Sequence, residues 1–242
     1  MFVDSDDYVD SECFDVFDNY TKSDADYYQF GFSIVAKGLV KETRVWSERH
    51  VNTISEKETF IGESVVTRSI NSCWAKLYNR KIIEENDLRF CEELSIAEDL
   101  TFVFTFLLSA DKIERIDSTI CFVDVSNEDS LSRKYRENLS EQLICVYESM
   151  CKAFEKSHIE SEFVNRSLAW LHYRNAYSVA NDLLKSNLTF LERRKKLKVM
   201  CNLFNSQEVT PIGFKCKIIS IPIRFKLVGI VDVTFQVINK LK

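Results

Sequence analysis

The chain contains few of the residues that usually mark turns and domain boundaries. Its 242 residues include only two prolines and five glycines, and no internal repeat or low-complexity linker interrupts them. Sharp domain boundaries are therefore not expected. A hydrophobic content of 45% is ordinary for a folded protein, and it excludes a largely disordered chain.

The eight cysteines lack the spacing of a metal site. No CxxC pair occurs, and no histidine stands at zinc-ligand spacing, which argues against zinc. Cys121 and Cys145 lie in apolar runs, as is typical of reduced core cysteines in a cytosolic protein. His50, His158 and His172 match no catalytic pattern.

Long hydrophobic runs are also missing. The longest uncharged apolar stretch lies between Leu227 and Asn239, is interrupted by Asp232, and falls short of the roughly 20 residues of a spanning helix. No signal peptide is recognisable, because Met1 is followed almost at once by acidic residues. We therefore expect a cytoplasmic protein.

The net charge is −5, and the charged residues are distributed unevenly along the chain. Acidic residues crowd the first thirty positions, whereas basic residues dominate the last third, above all between Arg193 and Lys198. An acidic end suits metal binding, and a basic end suits an anionic surface. Composition alone leaves open whether either end is simply a solvated face.

Hydrophobic periodicity predicts an α/β region followed by helices. The expected order is a short strand at Met1–Val3, a helix capped by Ser11, a strand at Tyr27–Val35, a loop over 36–60, a helix at Ile61–Asn71, an extended Trp74–Tyr78, helices at Arg80–Asn86 and Glu98–Ala110, and a strand at Ile113–Val125. Two or three long helices are predicted between Glu137 and Phe204. These elements suggest a core domain over 1–135, a helical appendage over 136–210 and an amphipathic basic tail over 211–242.

Two carboxylates follow the first of these strands. Asp4 and Asp6 stand two positions apart, where the chain leaves the sheet and alternate side chains can converge on one ion. Hard oxygen ligands suit Mg²⁺ or Mn²⁺, and the carboxyl ends of strands are where open α/β sheets bind ligands. Taken alone, two such acids are more often solvated than metal ligands.

Four segments together resemble bacterial family-2 glycosyltransferases of the GT-A type in their order and spacing. They are FVDSDDYV (2–9), CWAKLYNRKIIEENDLRF (73–90), AEDLTFVF (97–104) and DSLSR (129–133). The resemblance covers about the first 135 residues. It implies an α/β fold, namely the C-terminal part of a GT-A sheet, to which the helical appendage is added.

The resemblance also implies roles for single residues. Asp4 and Asp6 match the acids that bind the metal and the sugar-nucleotide diphosphate, with Asp7 beside them. Glu98 and Asp99 match the acidic pair that supplies the catalytic base, and we expect Asp99 to be that base.

Three neighbouring features qualify these roles. A small residue, frequently glycine, usually precedes the acidic pair in that family, and Ala97 stands there. Helix capping is the structural alternative for the pair, since the helix dipole favours acids in a first turn. Trp74 and Lys76 match the acceptor side of the family's pocket, where Trp74 would stack on a sugar unless it is a core aromatic.

The implied reaction is inverting transfer of a sugar from a nucleotide diphosphate, most often UDP, to a hydroxyl of a glycan or lipid-linked acceptor in cell-surface polysaccharide synthesis. Mn²⁺ or Mg²⁺ is the implied cofactor, and no nucleic acid is implied as a partner. Met1 matches an interior strand position of the family. We therefore expect a chain that lacks most of the nucleotide-binding segment and transfers sugar poorly.

The tail over 211–242 mixes apolar and basic residues. Such a segment suits a membrane interface, and it predicts peripheral contact at the inner face of the cell membrane. Packing on the helical appendage is an equal alternative, and alternation at Ile219, Ile221 and Ile223 would also fit a strand.

Two other functions stay open. The chain would act as a non-catalytic interaction module if its helices formed a binding surface, and substitution of Asp99 would then leave the phenotype unchanged. A metal-dependent nucleotidyltransferase also uses paired acids, although the missing glycine-rich phosphate loop and basic motif count against it.

Overall fold

The protein forms two compact units in a computed structural model that describes residues 1–20, 24–126, 135–183, 186–206, 212 and 220–233. The first unit comprises Met1–Ile61, Ser69–Cys91 and Glu98–Arg133. The second comprises Gly62–Arg68, Glu92–Ala97 and Lys134–Lys242. Each unit therefore draws on separate stretches of the chain.

Within the described residues, the first unit contains a mixed sheet of six strands. They are β1 (Tyr8–Val9), β2 (Tyr27–Ala36), β3 (Leu39–Arg44), β4 (Arg49–Val51), β5 (Lys76–Tyr78) and β6 (Ile113–Asp124). The main path runs β1, β6, β2, β3, with β4 paired to β6 and β5 paired to β2. β2 and β6 are parallel, whereas the β1–β6, β2–β3, β2–β5 and β4–β6 pairs are antiparallel.

The helices of this unit are α1 (Cys13–Tyr20), the first part of α2 (Ile54–Thr67), α3 (Arg80–Glu85) and α4 (Glu98–Ser109). Seven of the twelve residues of α4 are buried, because apolar side chains lie on overlapping faces. A separate core cluster centres on Tyr28 and Phe30 of β2 and on Ile116 and Ile120 of β6. The central parallel strands are thus the most deeply packed part of the sheet.

Residues 36–60 are not the loop that their polar sequence predicts. They form β3, β4 and the beginning of α2. β3 is exposed along its whole length, so its sequence carries no buried face for a pattern to indicate.

Helix α2 begins at Ile54, seven residues before the predicted Ile61. Thr53 and Glu56 explain the earlier start, because the Thr53 hydroxyl accepts from the N–H of Glu56 at 3.3 Å. The Glu56 carboxylate in turn accepts from the N–H of Thr53 at 3.1 Å. This reciprocal capping box is visible in the sequence as T-x-x-E.

One prediction near the N-terminus is also corrected. Met1–Val3 does not form a regular strand, and Phe2 makes a single parallel bridge to Trp74. Before α1, the Asp10 carboxylate accepts from the N–H of Glu12 at 2.8 Å, within the turn that precedes the helix.

The second unit is helical in the part that the structure describes. It contains the long helices α5 (Leu139–Lys156), α6 (Glu162–Leu183) and α7 (Phe190–Leu203), followed by a 3₁₀ turn at Phe204–Ser206. This agrees with the helices predicted between Glu137 and Phe204. Tyr173, Met200 and Phe204 are fully buried in its core.

The described part of the tail packs into the same core. Residues 220–224 and 228–233 are helical, so the strand considered for this segment is wrong at Ile221 and Ile223. Ile219 lies outside the described residues. Ile223 and Val231 are buried in the core cluster of the second unit. None of the helices in the described ranges is both long and apolar enough to cross a bilayer.

Candidate functional site

The acidic residues Asp4 to Asp7 lie in a turn that is anchored before and after. Before it, the Phe2 ring packs edge-to-face on the rings of Tyr78, Phe90 and Phe102, with centroids 5.3 to 5.5 Å apart. After it, β1 pairs with β6. The N–H of Asp7 donates to the carbonyl oxygen of Asp4 at 3.1 Å, which closes the turn.

The contact between Phe2 and Phe102 places this turn near the beginning of α4. Phe102 lies one helical turn after Glu98, the first residue of α4. The proximity is visible in the electrostatics of Asp4. Burial raises the pKa of Asp4, and the negative charges of Asp6 and Glu98 raise it further.

The carboxylate of Asp99 belongs to the same cluster. Burial raises the pKa of Asp99, hydrogen bonds from Cys73 oppose that shift, and the charges of Glu98 and Asp4 add to it. The structure therefore brings Asp4 together with Glu98 and Asp99 from the first turn of α4, and Asp6 is a charged neighbour of Asp4.

Cys73 fixes the position of Asp99. Its backbone N–H donates to Asp99 Oδ2 at 3.2 Å, and its thiol is a second hydrogen-bond partner. Burial, the chief cause, and the charge of Asp99 raise the pKa of the Cys73 thiol to about 12, so the thiol stays protonated at neutral pH. The Tyr78 hydroxyl donates to the carbonyl oxygen of Cys73 at 2.9 Å, which holds the backbone of Cys73 in place.

Sequence reasoning did not single out Cys73 as a site residue. The signal was present, because Cys73 is the first residue of the CWAKLY segment on which the resemblance rests. All seven cysteines in the described ranges are free thiols.

Lys76 is buried rather than open to an acceptor, with 2% of its surface exposed. Its Nζ donates to the carbonyl oxygen of Trp74 at 3.2 Å and lies 3.4 Å from the Ser72 hydroxyl. Burial lowers the pKa of Lys76 to about 8, and the charge of Asp99 opposes this shift. The buried ammonium group therefore interacts electrostatically with the Asp99 carboxylate.

Trp74 is partly buried beside the same segment. Its ring packs edge-to-face on Phe32, with centroids 4.5 Å apart, and the Lys76 Nζ lies 5.8 Å from the centre of the indole. The side chain thus has core contacts on the sheet and retains some accessible surface.

Asp7 ties the acidic turn to the end of β6. Its Oδ1 accepts from the N–H of Asp124 at 2.9 Å, and the Asp124 carboxylate accepts from the N–H of Ser126 at 2.8 Å. Burial raises the pKa of Asp7, and the bond from Asp124 opposes that shift. One oxygen of Asp7 is therefore occupied by a structural hydrogen bond.

The DSLSR segment at 129–133 lies outside the described residues.

Two alanines beside the site adopt backbone conformations that usually require glycine. Ala75 has a φ of 54° and Ala97 a φ of 56°. The left-handed conformation is strained for any residue with a Cβ, and small strained residues often accompany functional sites. Glycine would adopt the positive φ of Ala97 without that strain.

No group of three or more His, Cys, Asp and Glu side chains is arranged to hold a metal ion in the part of the chain that the structure describes. Asp4 and Asp6 supply two carboxylates. A divalent ion at such a pair takes its remaining ligands from water and substrate phosphate.

Comparison with solved structures identifies the fold. TarS 1–349 of S. aureus in complex with UDP matches with a TM-score of 0.65 and 17% identity, over 100% of this chain and 67% of that chain. The chain has a glycosyltransferase fold. The TarS 1–349 structure in complex with UDP-GlcNAc gives a TM-score of 0.66 and 15% identity, over 100% and 68%.

The α/β fold predicted from the sequence is confirmed by this likeness. This chain spans about two thirds of the length of TarS 1–349. A comparison with models of protein families finds no match, and neither does a comparison with curated protein sequences. At 15 to 17% identity, the structural likeness establishes the fold and leaves the reaction to the site itself.

Proposed function

We propose that the chain binds a uridine-diphosphate sugar and transfers the sugar, with inversion, to a hydroxyl of a glycan or lipid-linked acceptor. The observation that carries the proposal is the convergence of Asp4 and Asp6 with Glu98 and Asp99 beside Cys73. This convergence occurs in a fold whose structural neighbour TarS has been solved with UDP and with UDP-GlcNAc.

Asp4 and Asp6 are the residues that would hold a divalent cation, Mn²⁺ or Mg²⁺. The donor set fits a hard cation, because both ligands are carboxylates. The raised pKa of Asp4 also fits, since a bound cation would relieve the repulsion from Asp6 and Glu98. When bound, such a cation stabilises negative charge on a departing diphosphate.

Asp99 is the proposed general base. The acceptor oxygen would attack the anomeric carbon, the bond from that carbon to the diphosphate oxygen would break, and the acceptor proton would pass to the Asp99 carboxylate. The Cys73 N–H orients the carboxylate, and burial raises its pKa towards neutrality, which strengthens it as a base.

Glu98 and Trp74 complete the proposed acceptor side. Glu98 precedes the base on the first turn of α4 and is suited to accept a hydrogen bond from a sugar hydroxyl. The remaining accessible surface of the Trp74 ring is suited to stack on a sugar face.

Isothermal titration of the full chain with UDP, with and without Mn²⁺, tests the donor site. We expect metal-dependent binding that the Asp4→Asn/Asp6→Asn double variant loses. The matched control is Asp15→Asn/Asp18→Asn, which removes the same charge from exposed positions of the neighbouring α1. Equal binding by wild type and both variants would place the nucleotide elsewhere.

A further inference from the structure

The second unit concentrates positive charge in α7 and in the described part of the tail. Residues 186–206 and 220–233 contain seven Lys or Arg and two Asp or Glu, although the whole chain has a net charge of −5. Both acids interact with residues of this same region. Glu192 accepts from the Thr189 hydroxyl at 2.7 Å, and Asp232 is buried against Arg193 with 3.2 Å between Oδ1 and Nε.

Five of the seven cations are exposed to solvent. They are Arg194, Lys195, Lys198, Arg224 and Lys226. Large apolar side chains are exposed among them, each by more than half of its surface: Phe190, Leu191, Ile221, Phe225, Ile230 and Val233. Single exposed apolar residues are ordinary on a protein surface, but a concentration of them within two short stretches indicates an interaction site.

A contact between Arg194 of α7 and Gly229 brings α7 against residues 228–233. The Arg194 guanidinium lies over the Phe190 ring, 5.1 Å from its centroid. A Cβ added to Gly229 would lie 2.8 Å from Arg194 Nη2, so that arginine rests on the Gly229 backbone. Exposed Ile230 follows directly. We call the five cations and six apolar residues the basic apolar surface.

We propose that the basic apolar surface docks the chain on a membrane that carries anionic headgroups. Lysine and arginine attract such headgroups, while Phe, Leu, Ile and Val side chains enter the boundary of the acyl region. The helices that carry the surface are not both long and apolar enough to span a bilayer. Nucleic acid would use the cations and the aromatic rings but leave the aliphatic side chains without a partner.

Flotation of the full chain with lipid vesicles tests this proposal. Wild type should float with phosphatidylcholine vesicles that contain phosphatidylglycerol, remain below with phosphatidylcholine alone, and dissociate as salt is raised. Lys195→Gln/Lys198→Gln should weaken partition onto the anionic vesicles by roughly 30-fold, from two cations that contribute about equally. Phe225→Ser/Ile230→Ser should weaken it through lost insertion.

Lys37→Gln/Lys41→Gln is the matched control, because it removes two exposed lysines from the first unit. It should float like wild type. Failure of wild type to bind anionic vesicles at low salt would overturn the proposal, as would equal losses in the control and in Lys195→Gln/Lys198→Gln. Binding that survives Phe225→Ser/Ile230→Ser unchanged would also overturn it, since the apolar side chains would then take no part.

The proposal does not depend on sugar transfer. All of these variants should keep their helical circular dichroism, because each changed side chain is exposed. Their titration with UDP and Mn²⁺ should match that of wild type, so a failure of membrane binding and a failure of the proposed donor site give different results.

Discussion

The two units place their ionisable groups in different surroundings. Around the site of the first unit, carboxylates of like charge stand close together, Asp99 and Asp4 have raised pKa values, and the buried Lys76 has its pKa lowered to about 8. In the second unit, the buried Asp232 faces Arg193, and the buried His172 loses its proton.

This contrast is expected if the first unit carries the proposed site and the core of the second unit serves stability. Crowded carboxylates destabilise a fold and persist where a ligand or a reaction uses them. In the core of the second unit, matched charges and a neutral histidine contribute to packing. Substitutions at the carboxylate site of the first unit should therefore change binding and rate more than stability, and substitutions in the core of the second unit should do the reverse.

The largest expected effect is that of Asp99→Asn on the reaction. An amide cannot take the acceptor proton, so kcat should fall by roughly 10²- to 10⁴-fold, measured as UDP released from UDP-GlcNAc. Thermal stability should stay the same or increase, because the ionised carboxylate is disfavoured by burial and by nearby acids.

Glu98→Gln is the control for Asp99→Asn and should lower the rate less. If UDP binds with Mn²⁺ but neither wild type nor these variants release UDP, the chain is a binding module rather than a transferase. That result would weaken the contrast between the two units.

The second largest expected effect is a loss of stability at acidic pH, caused by His172 in the second unit. His172 is fully buried, and its Nε2 lies 3.1 Å from the carbonyl oxygen of Phe204. Burial lowers its pKa from 6.5 to about 4 in the folded chain, while the hydrogen bond to Phe204 opposes this shift. Between these values the unfolded chain binds a proton that the folded chain does not, so the free energy of unfolding falls as pH falls from 6.5 to 4, by about 3 kcal/mol.

Urea unfolding at several pH values, followed by helical circular dichroism, measures this slope. His172→Gln should be less stable at neutral pH but should flatten the dependence between pH 6.5 and 4. His50→Gln makes the same substitution at an exposed position of the first unit and serves as the comparison. An unchanged slope in His172→Gln would assign the acid sensitivity to other groups.

A smaller effect is expected at Cys73. Cys73→Ala keeps the backbone N–H bond to Asp99 and removes the thiol, so the base should lose one of its two donors. We expect the rate of UDP release to fall by roughly 10-fold, equivalent to about one hydrogen bond, with binding of UDP unchanged. Cys73→Ser should restore most of the rate because its hydroxyl can donate, and a Ser variant as slow as the Ala variant would contradict the positioning role.

The smallest effect is a gain in stability. Ala97→Gly removes a Cβ at a residue with a φ of 56°, and should raise the free energy of unfolding by up to about 1 kcal/mol. Gly38 is already a glycine at positive φ, so Gly38→Ala is the reverse control and should lower stability. A loss of stability in Ala97→Gly would mean that the alanine methyl group packs usefully.

Much of the fold could be predicted from the sequence because its main elements carry strong patterns. β2 is rich in aromatic and β-branched residues, and α4 is apolar on overlapping faces. β3 could not be predicted, since an exposed edge strand buries no face. The early start of α2 could have been predicted from Thr53 and Glu56, whose reciprocal bonds are a local property of four residues.

The candidate site also has residues that the sequence predicts and contacts that it does not. Asp4, Asp6, Glu98 and Asp99 are predicted as site residues from segments that resemble a known family. The bond between Cys73 and Asp99 joins residues 26 positions apart, and no local pattern indicates it. The burial of Lys76 was equally hidden, because lysine is rarely buried and its neighbours in the sequence do not show which strand will cover it.

The parallel pairing of β2 with β6 also determines when the site can form. Gln29 and Arg115 are 86 positions apart in the chain, yet their side chains meet with 3.2 Å between Oε1 and Nε. Strands that distant pair only after a long loop has closed, which is slow, whereas contacts between successive helices form quickly. The carboxylate cluster should therefore be among the last parts to assemble on a refolding chain, and competence to bind UDP should appear after most of the helical signal has returned.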